Sequence, residues 1–410
     1  MTTAPGDLNA TTTMSRFTAA IADLSPAEHG FSHLDLEGAR ARAELLDALP
    51  LARRGAWHGR LVPIKDLMDV KGMPTTFGSA HRTRVATESA DLVEYLLAQG
   101  AIIPGKTATP ELGMTGYTEP VGLPAPINPL WPGEHRTPGG SSGGAAVAVA
   151  RGLVDIAHAS DGGGSIRIPA AACGLVGFKP SHHAVGGALS VQGVITRTLA
   201  ETAAAHNLPL LTPERLRIGV LTTPLLAETE VAAAALKAVD LAAGELSDLG
   251  HEVVSLRAAD LDSAGLFESF RKVFSHKVSR VSDPASDIVA WFRETSGPDT
   301  PHEAILRLEG SAAELARAWG VDVLLSPMLA FSPPKIGAFA ALGPAGDFEY
   351  QTRWTPWGSI FNMSGGAAIS VPLDIGGPRP VSIQLGAVRT DNTRILGLAS
   401  QLHRITSEQR

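Results

Sequence analysis

The chain has 410 residues, 44% of them apolar and 18% charged, and a formal net charge of −7; this is a globular composition, with no clustered basic face to suggest nucleic acid as a partner. Its one cysteine, Cys173, excludes an intramolecular disulfide and a multi-cysteine metal site, and its thirteen histidines show no metal-ligand spacing such as H-E-x-x-H. The sequence holds no uninterrupted apolar stretch of about 20 residues and no signal-peptide pattern at residues 1–14, so the expectation is a cytoplasmic protein without membrane contact.

In chain order, residues 1–15 read as a disordered tail and 16–410 as a single domain. Leu36, Ala39, Leu45 and Leu49 fall near helical spacing, which predicts a helix over 35–56. Residues 61–64 are a short apolar strand candidate that delivers Lys65. Residues 91–100 read as a helix ended by glycine, 101–104 as a strand, and Gly105-Lys106-Thr107 as a loop. Several prolines make 120–138 a long loop. Residues 142–153 read as a buried Ala/Val-rich helix and 153–159 as a strand. A more variable α/β region covers 213–320. It opens with a strand at 216–221, a helix at 231–249 and a strand at 252–256, a βαβ unit that implies parallel pairing. Residues 260–320 follow a helical period. Strands are expected at 321–325, 367–371 and 381–385, and a closing helix at 391–404. The expected fold class is therefore α/β: a large mixed, mostly parallel twisted sheet covered by helices on both faces.

Two glycine-rich segments stand out. Residues 138–144 read Pro-Gly-Gly-Ser-Ser-Gly-Gly, and 160–169 read Ser-Asp-Gly-Gly-Gly-Ser-Ile-Arg-Ile-Pro. Such segments let the backbone approach a ligand closely and present its N–H groups. A phosphate loop would need Gly-Lys-Ser/Thr after the first glycines, and no lysine follows them. A dinucleotide loop would need a strand directly before its glycines, where a proline-rich loop stands instead. Residues 139–143 also satisfy G-x-S-x-G, the nucleophile elbow of α/β-hydrolases, but the elbow too requires a strand entering the serine. Lys65 offers a different base. A lysine amine serves as a proton acceptor once burial lowers its pKa, and the preceding Leu-Val-Pro-Ile run favours burial. On spacing alone a surface lysine opening a loop is an equal reading. Cys173 lies in an apolar run, where a buried thiol is inert packing rather than a nucleophile.

Taken together, five ordered motifs resemble the amidase signature family: Val62-Pro-Ile-Lys-Asp66, the stretch 72–79, Pro138–Gly144, Asp161–Pro169 and Gly177-Phe-Lys-Pro180. Phe361-Asn362-Met-Ser-Gly-Gly, Val371-Pro372 and the stretch 380–384 resemble that family's C-terminal part more weakly. The resemblance implies a Ser–cisSer–Lys triad. Ser165 would be the nucleophile, Ser141 a relay preceded by a cis peptide bond, and Lys65 the general base. The N–H groups of Gly162, Gly163, Gly164 and Ser165 would form an oxyanion hole. Asp161 and Arg167 are expected to pair and hold the loop, and Ser142 to be a hydrogen-bonding neighbour.

The implied activity is hydrolysis of a small-molecule carboxamide to a carboxylate and ammonia or an amine through an acyl-Ser165 intermediate. It needs no cofactor and no metal, and a homodimer is a possible assembly. Two alternatives stay open at this point: the A subunit of a glutamine-dependent tRNA amidotransferase, and a non-catalytic binding protein on the same scaffold. The chain also departs from the family's pattern. Threonine and glycine are common where Ser160 and Ala159 stand, and a bulkier residue where Gly162 stands, so the extra glycine is expected to loosen the loop.

Overall fold

The computed structural model describes residues 9–297 and 299–408. Its centre is an eight-stranded sheet. From one edge the strands run Glu252–Ser255, Arg217–Val220, Val323–Pro327, Val381–Ala387, Ala368–Leu373, Val176–Lys179, Val191–Thr196 and Ile156–Asp161. The α/β class holds, and the βαβ unit of the variable region pairs in parallel as expected. One feature of the expectation is corrected. Only the first two pairings are parallel, and the remaining five are antiparallel. Two strands not foreseen, Val176–Lys179 and Val191–Thr196, create much of this difference. Two of the antiparallel pairs, Ala368–Leu373 with Val381–Ala387 and Val176–Lys179 with Val191–Thr196, are consecutive strands joined without a crossover helix.

Helices cover both faces, because alternate residues of the central strands point to opposite sides. Val323, Leu325, Ile369 and Val371 pack with Val239, Ala242, Leu246, Ile395 and Leu396, which belong to the helices Ala233–Asp248 and Asn392–Glu408. Leu324 and Ala368 face the other way, into a core with Leu266, Phe270 and Leu315. A third core joins Ala157, Ala159 and Ile195 of the sheet's far edge to the helix Gly143–Ala150, which is buried along its length.

The expectation of a disordered tail over residues 1–15 is corrected from residue 10 onward. Residues 1–8 lie outside the described residues, but Ala10–Ile21 form a helix. Asn9 caps it by accepting from Thr12 N at 2.7 Å. Ala10, Met14, Phe17 and Ile21 recur every three or four residues and are buried. Its first N–H groups also meet Asp47 at 2.8 and 2.9 Å, which ties it to the helix Leu36–Asp47. The threonine run between these apolar positions conceals the pattern from a composition-based reading.

Gly105–Thr107 is likewise corrected from loop to strand. It pairs antiparallel with Phe31–Leu34 and parallel with Ile64–Lys65 in a small three-stranded sheet. Lys106 is the middle residue of this strand. It is buried against Asp66 at 3.0 Å and Thr75 at 3.0 Å, so its charge is satisfied inside.

Candidate active site

The site forms where the far-edge strand Ile156–Asp161 ends, turns through Gly162–Ser165 and enters the short helix Arg167–Ala172. Lys65 reaches it from the small sheet. Backbone contacts lock Lys65 beside the edge strand: its N–H donates to His158 Nδ1 at 3.2 Å, and His158 N–H donates to Pro63 O at 3.0 Å. The His158 ring bonds Gln192 through Nε2 at 2.9 Å, and burial pulls its pKa down to about 4. A neutral imidazole that accepts at Nδ1 and donates at Nε2 satisfies both contacts.

Lys65 is 1% exposed and Ser141 2%. The Lys65 amine stands 2.7 Å from Ser141 Oγ and 3.1 Å from Ser160 Oγ, with Ser160 O at 3.5 Å. Burial lowers the Lys65 pKa to about 7, although the Asp161 carboxylate works against the shift. The even choice between a surface lysine and a buried one is thus settled by packing. The peptide bond from Gly140 to Ser141 is cis. Gly140 has no room for a side chain, since a Cβ there would stand 2.4 Å from Tyr117 O. Ser142 is buried and its hydroxyl donates to Ser160 O at 3.4 Å.

Ser165 is partly exposed and lines a cavity with Gly113, Gly163, Ile168 and a set of phenylalanines. Among the described residues its hydroxyl makes no hydrogen bond to Lys65 or Ser141. Ser141 nevertheless adjoins the same cavity, because Gly113 lies against its hydroxyl: a Cβ on Gly113 would stand 3.3 Å from Ser141 Oγ.

The loop is held from behind by a buried polar network. Arg167 donates to both Asp161 carboxylate oxygens at 3.0 Å, with both side chains fully buried. It also donates to Gln384 at 2.6 Å and Asn362 at 2.8 Å. Asn362 donates to Asp161 O at 3.0 Å, Asp161 Oδ1 at 2.9 Å and Leu189 O at 3.0 Å. Burial alone would raise the Asp161 pKa. Arg167, followed by Lys179 and Asn362, outweighs it and holds the carboxylate ionised.

This network corrects one member of the expected oxyanion hole. Gly164 N–H donates to Asp161 Oδ1 at 2.7 Å, so it is turned away from the cavity. Gly164 takes a φ of +117°, a conformation that suits glycine, and it aims that N–H backwards. The N–H groups of Gly162, Gly163 and Ser165 have no protein acceptor among the described residues. Cys173 is buried, and its thiol pKa is pushed up by desolvation, which leaves it unreactive. Three residues escaped the sequence reading: Ser160 as a partner of Lys65, and Asn362 and Gln384 as supports. The last two stand in the C-terminal motifs, but only the fold places them behind the loop.

The family model for amidases matches residues 13–208. The putative amidase AmiB2 of Mycobacterium tuberculosis is 34% identical over 90% of this chain and 85% of its own length. The chain belongs to the amidase signature family. The 2-amino-5-chloromuconic acid deaminase of Comamonas testosteroni is 32% identical over 88% of this chain and 86% of that protein. Among solved structures, a 6-aminohexanoate cyclic dimer hydrolase superposes with a TM-score of 0.85, covering 98% of this chain and 94% of that one at 24% identity, a likeness of fold. These relatives support a hydrolase acting on amides. Among the described residues no helix is long and apolar enough to cross a membrane, and no group of three or more His, Cys, Asp or Glu side chains could hold a metal ion.

Proposed function

We propose that this amidase cleaves a small-molecule carboxamide by nucleophilic catalysis at Ser165, with Ser141 as proton relay and Lys65 as base. The observation that carries the reading is the 2.7 Å contact between a fully buried amine and Ser141 Oγ at the edge of the cavity that Ser165 lines. A lysine with a pKa of about 7 is neutral in about half of the molecules at pH 7, so its lone pair can take the Ser141 proton. Ser141 in turn takes the proton of Ser165, whose oxygen attacks the amide carbonyl. The tetrahedral oxyanion then meets the N–H groups of Gly162, Gly163 and Ser165. Each such donor is worth about 3–4 kcal/mol in the transition state. Collapse breaks the C–N bond, and the proton returns from Lys65 through Ser141 to the leaving nitrogen. Water attacks the acyl-Ser165 ester by the same relay and releases the carboxylate. We read the location as cytoplasmic.

The test is covalent. A fluorophosphonate probe should add its mass to the peptide that contains Ser165, and Ser165→Ala should lose both the label and ammonia release from amides. A label on any other serine, or turnover surviving in Ser165→Ala, defeats the mechanism.

A further inference from the structure

The helix Ser263–His276 supplies one wall of the Ser165 cavity. Phe267, Phe270 and Phe274 recur on one face at helical spacing and stack along it, with ring centroids 5.9 and 5.3 Å apart. Phe348 stacks on Phe267 at 5.9 Å from across the cavity, and Leu226 and Ile168 complete the apolar lining. No Asp, Glu, Lys or Arg side chain lines this cavity among the described residues. Its polar lining is neutral, from Thr115, Gln351, Thr352, Thr355 and Ser359, and its phenylalanine wall suits an apolar body.

One cation stands beside it. Lys277 follows the same helix, and its amine lies 5.5 Å from the Phe274 ring centroid. The amine donates to Ser190 Oγ at 2.9 Å and pairs with no carboxylate among the described residues. It also adjoins the nucleophile loop. A Cβ on Gly162 would stand 3.7 Å from Lys277 Nζ and only 2.6 Å from Ser190 Oγ. The room that a side chain at 162 would fill is thus occupied by an ammonium and a hydroxyl. Lys277 is exposed as a residue, and although desolvation of its amine lowers its pKa to about 8, it is mainly a cation at pH 7. An unpaired cation next to a charge-free apolar wall suits an anion attached to an apolar chain.

Building on the amide-hydrolase reading above, we infer that Lys277 and Ser190 bind a carboxylate on the acyl group, so that the preferred substrates are monoamides of dicarboxylic acids with an apolar or aromatic spacer. The phenylalanine face holds the spacer while Lys277, between Phe274 and the nucleophile loop, holds the carboxylate, and both come from one helix and its cap. Ser190 helps by holding the amine at the edge of the loop.

The experiment compares dicarboxylic monoamides, from succinamate to suberamate, with the matching unsubstituted amides. At least one acid-bearing member should show a kcat/KM about tenfold or more above its neutral partner, mainly through KM. Lys277→Gln should collapse that ratio, and Lys277→Glu should shift preference toward ω-amino amides. Equal kcat/KM across every pair in the wild-type enzyme overturns the inference. So does a Lys277→Gln variant that loses kcat by the same factor on both members, because that pattern belongs to a cation acting on the reaction's own oxyanion. Binding to Ser165→Ala, read by titration calorimetry, separates the two layers of the argument. Selective binding of a monoamide, abolished by Lys277→Gln in that background, sustains the carboxylate site even where hydrolysis fails, and equal binding of the two members refutes it.

Discussion

Two buried lysines flank the glycine loop, and they make an instructive pair. In front, Lys65 lies beside Ser141 Oγ and Ser160 Oγ. Behind, Lys179 donates to Pro180 O at 3.0 Å and Gly366 O at 2.7 Å. Burial lowers both to about 7. The Asp161 carboxylate opposes the shift of both, and for Lys179 the Arg167 guanidinium adds to it. A perturbed pKa therefore does not single out the base. The partners do. A hydroxyl can donate back to a neutral amine and pass on a proton, whereas a carbonyl can only accept. Lys179 is suited to tethering the strand Val176–Lys179 to residue 366, and Lys65 to proton transfer.

The largest effect that separates the two should come from Lys65→Met. Removing a positioned base costs about 10²–10⁴ in rate, and kcat/KM should fall by that order while circular dichroism stays native. The wild-type pH profile carries the same information. Lys65 is protonated and cannot accept a proton below about 7, so kcat/KM should rise with pH through about 7 and level off above it. The residual activity of Lys65→Met should lack that limb. A Lys65→Met enzyme that keeps the limb would hand the role of base to another group.

Lys179→Met should behave in the opposite way. It leaves two partly buried carbonyls short of a donor, which costs about 1 kcal/mol of stability, measurable as a lower urea midpoint. Its acid limb should stay near 7, because Lys65 is untouched. Loss of that limb would erase the distinction drawn between the two amines.

This contrast also marks what the sequence could show. Ser141, Ser165 and the Asp161–Arg167 pair stand in glycine-rich motifs and Lys65 in Val62-Pro-Ile-Lys-Asp66, and the family resemblance of these motifs, rather than spacing alone, points to them. Lys179 stands in a motif too, Gly177-Phe-Lys-Pro180, but nothing local reveals that it is buried against residue 366. The same limit hid the direction of Gly164 N–H, which depends on where Asp161 points. It also hid the antiparallel half of the sheet, because Val176–Lys179 pairs on one side with Ala368–Leu373, from a distant part of the chain, and on the other with the next strand, Val191–Thr196. The helix wall at 263–276 was visible as a period, but its role follows only from its position over Ser165.

Ser160 gives the finest test of the comparison. Its hydroxyl accepts from the Lys65 amine at 3.1 Å, and its carbonyl stands at 3.5 Å from the same amine and accepts from Ser142 at 3.4 Å. A hydroxyl that accepts from an ammonium favours the charged form, so removing it lowers the lysine pKa further. Ser160→Ala should therefore move the acid limb of kcat/KM to lower pH. The plateau should change by only a few-fold, since Ser141 remains 2.7 Å from the amine. A limb that moves upward would mean that Ser160 supports the neutral amine by donating to it, making the hydroxyl a second proton-bearing partner of Lys65. A limb that does not move would leave Ser141 as the one hydroxyl that sets the protonation of Lys65.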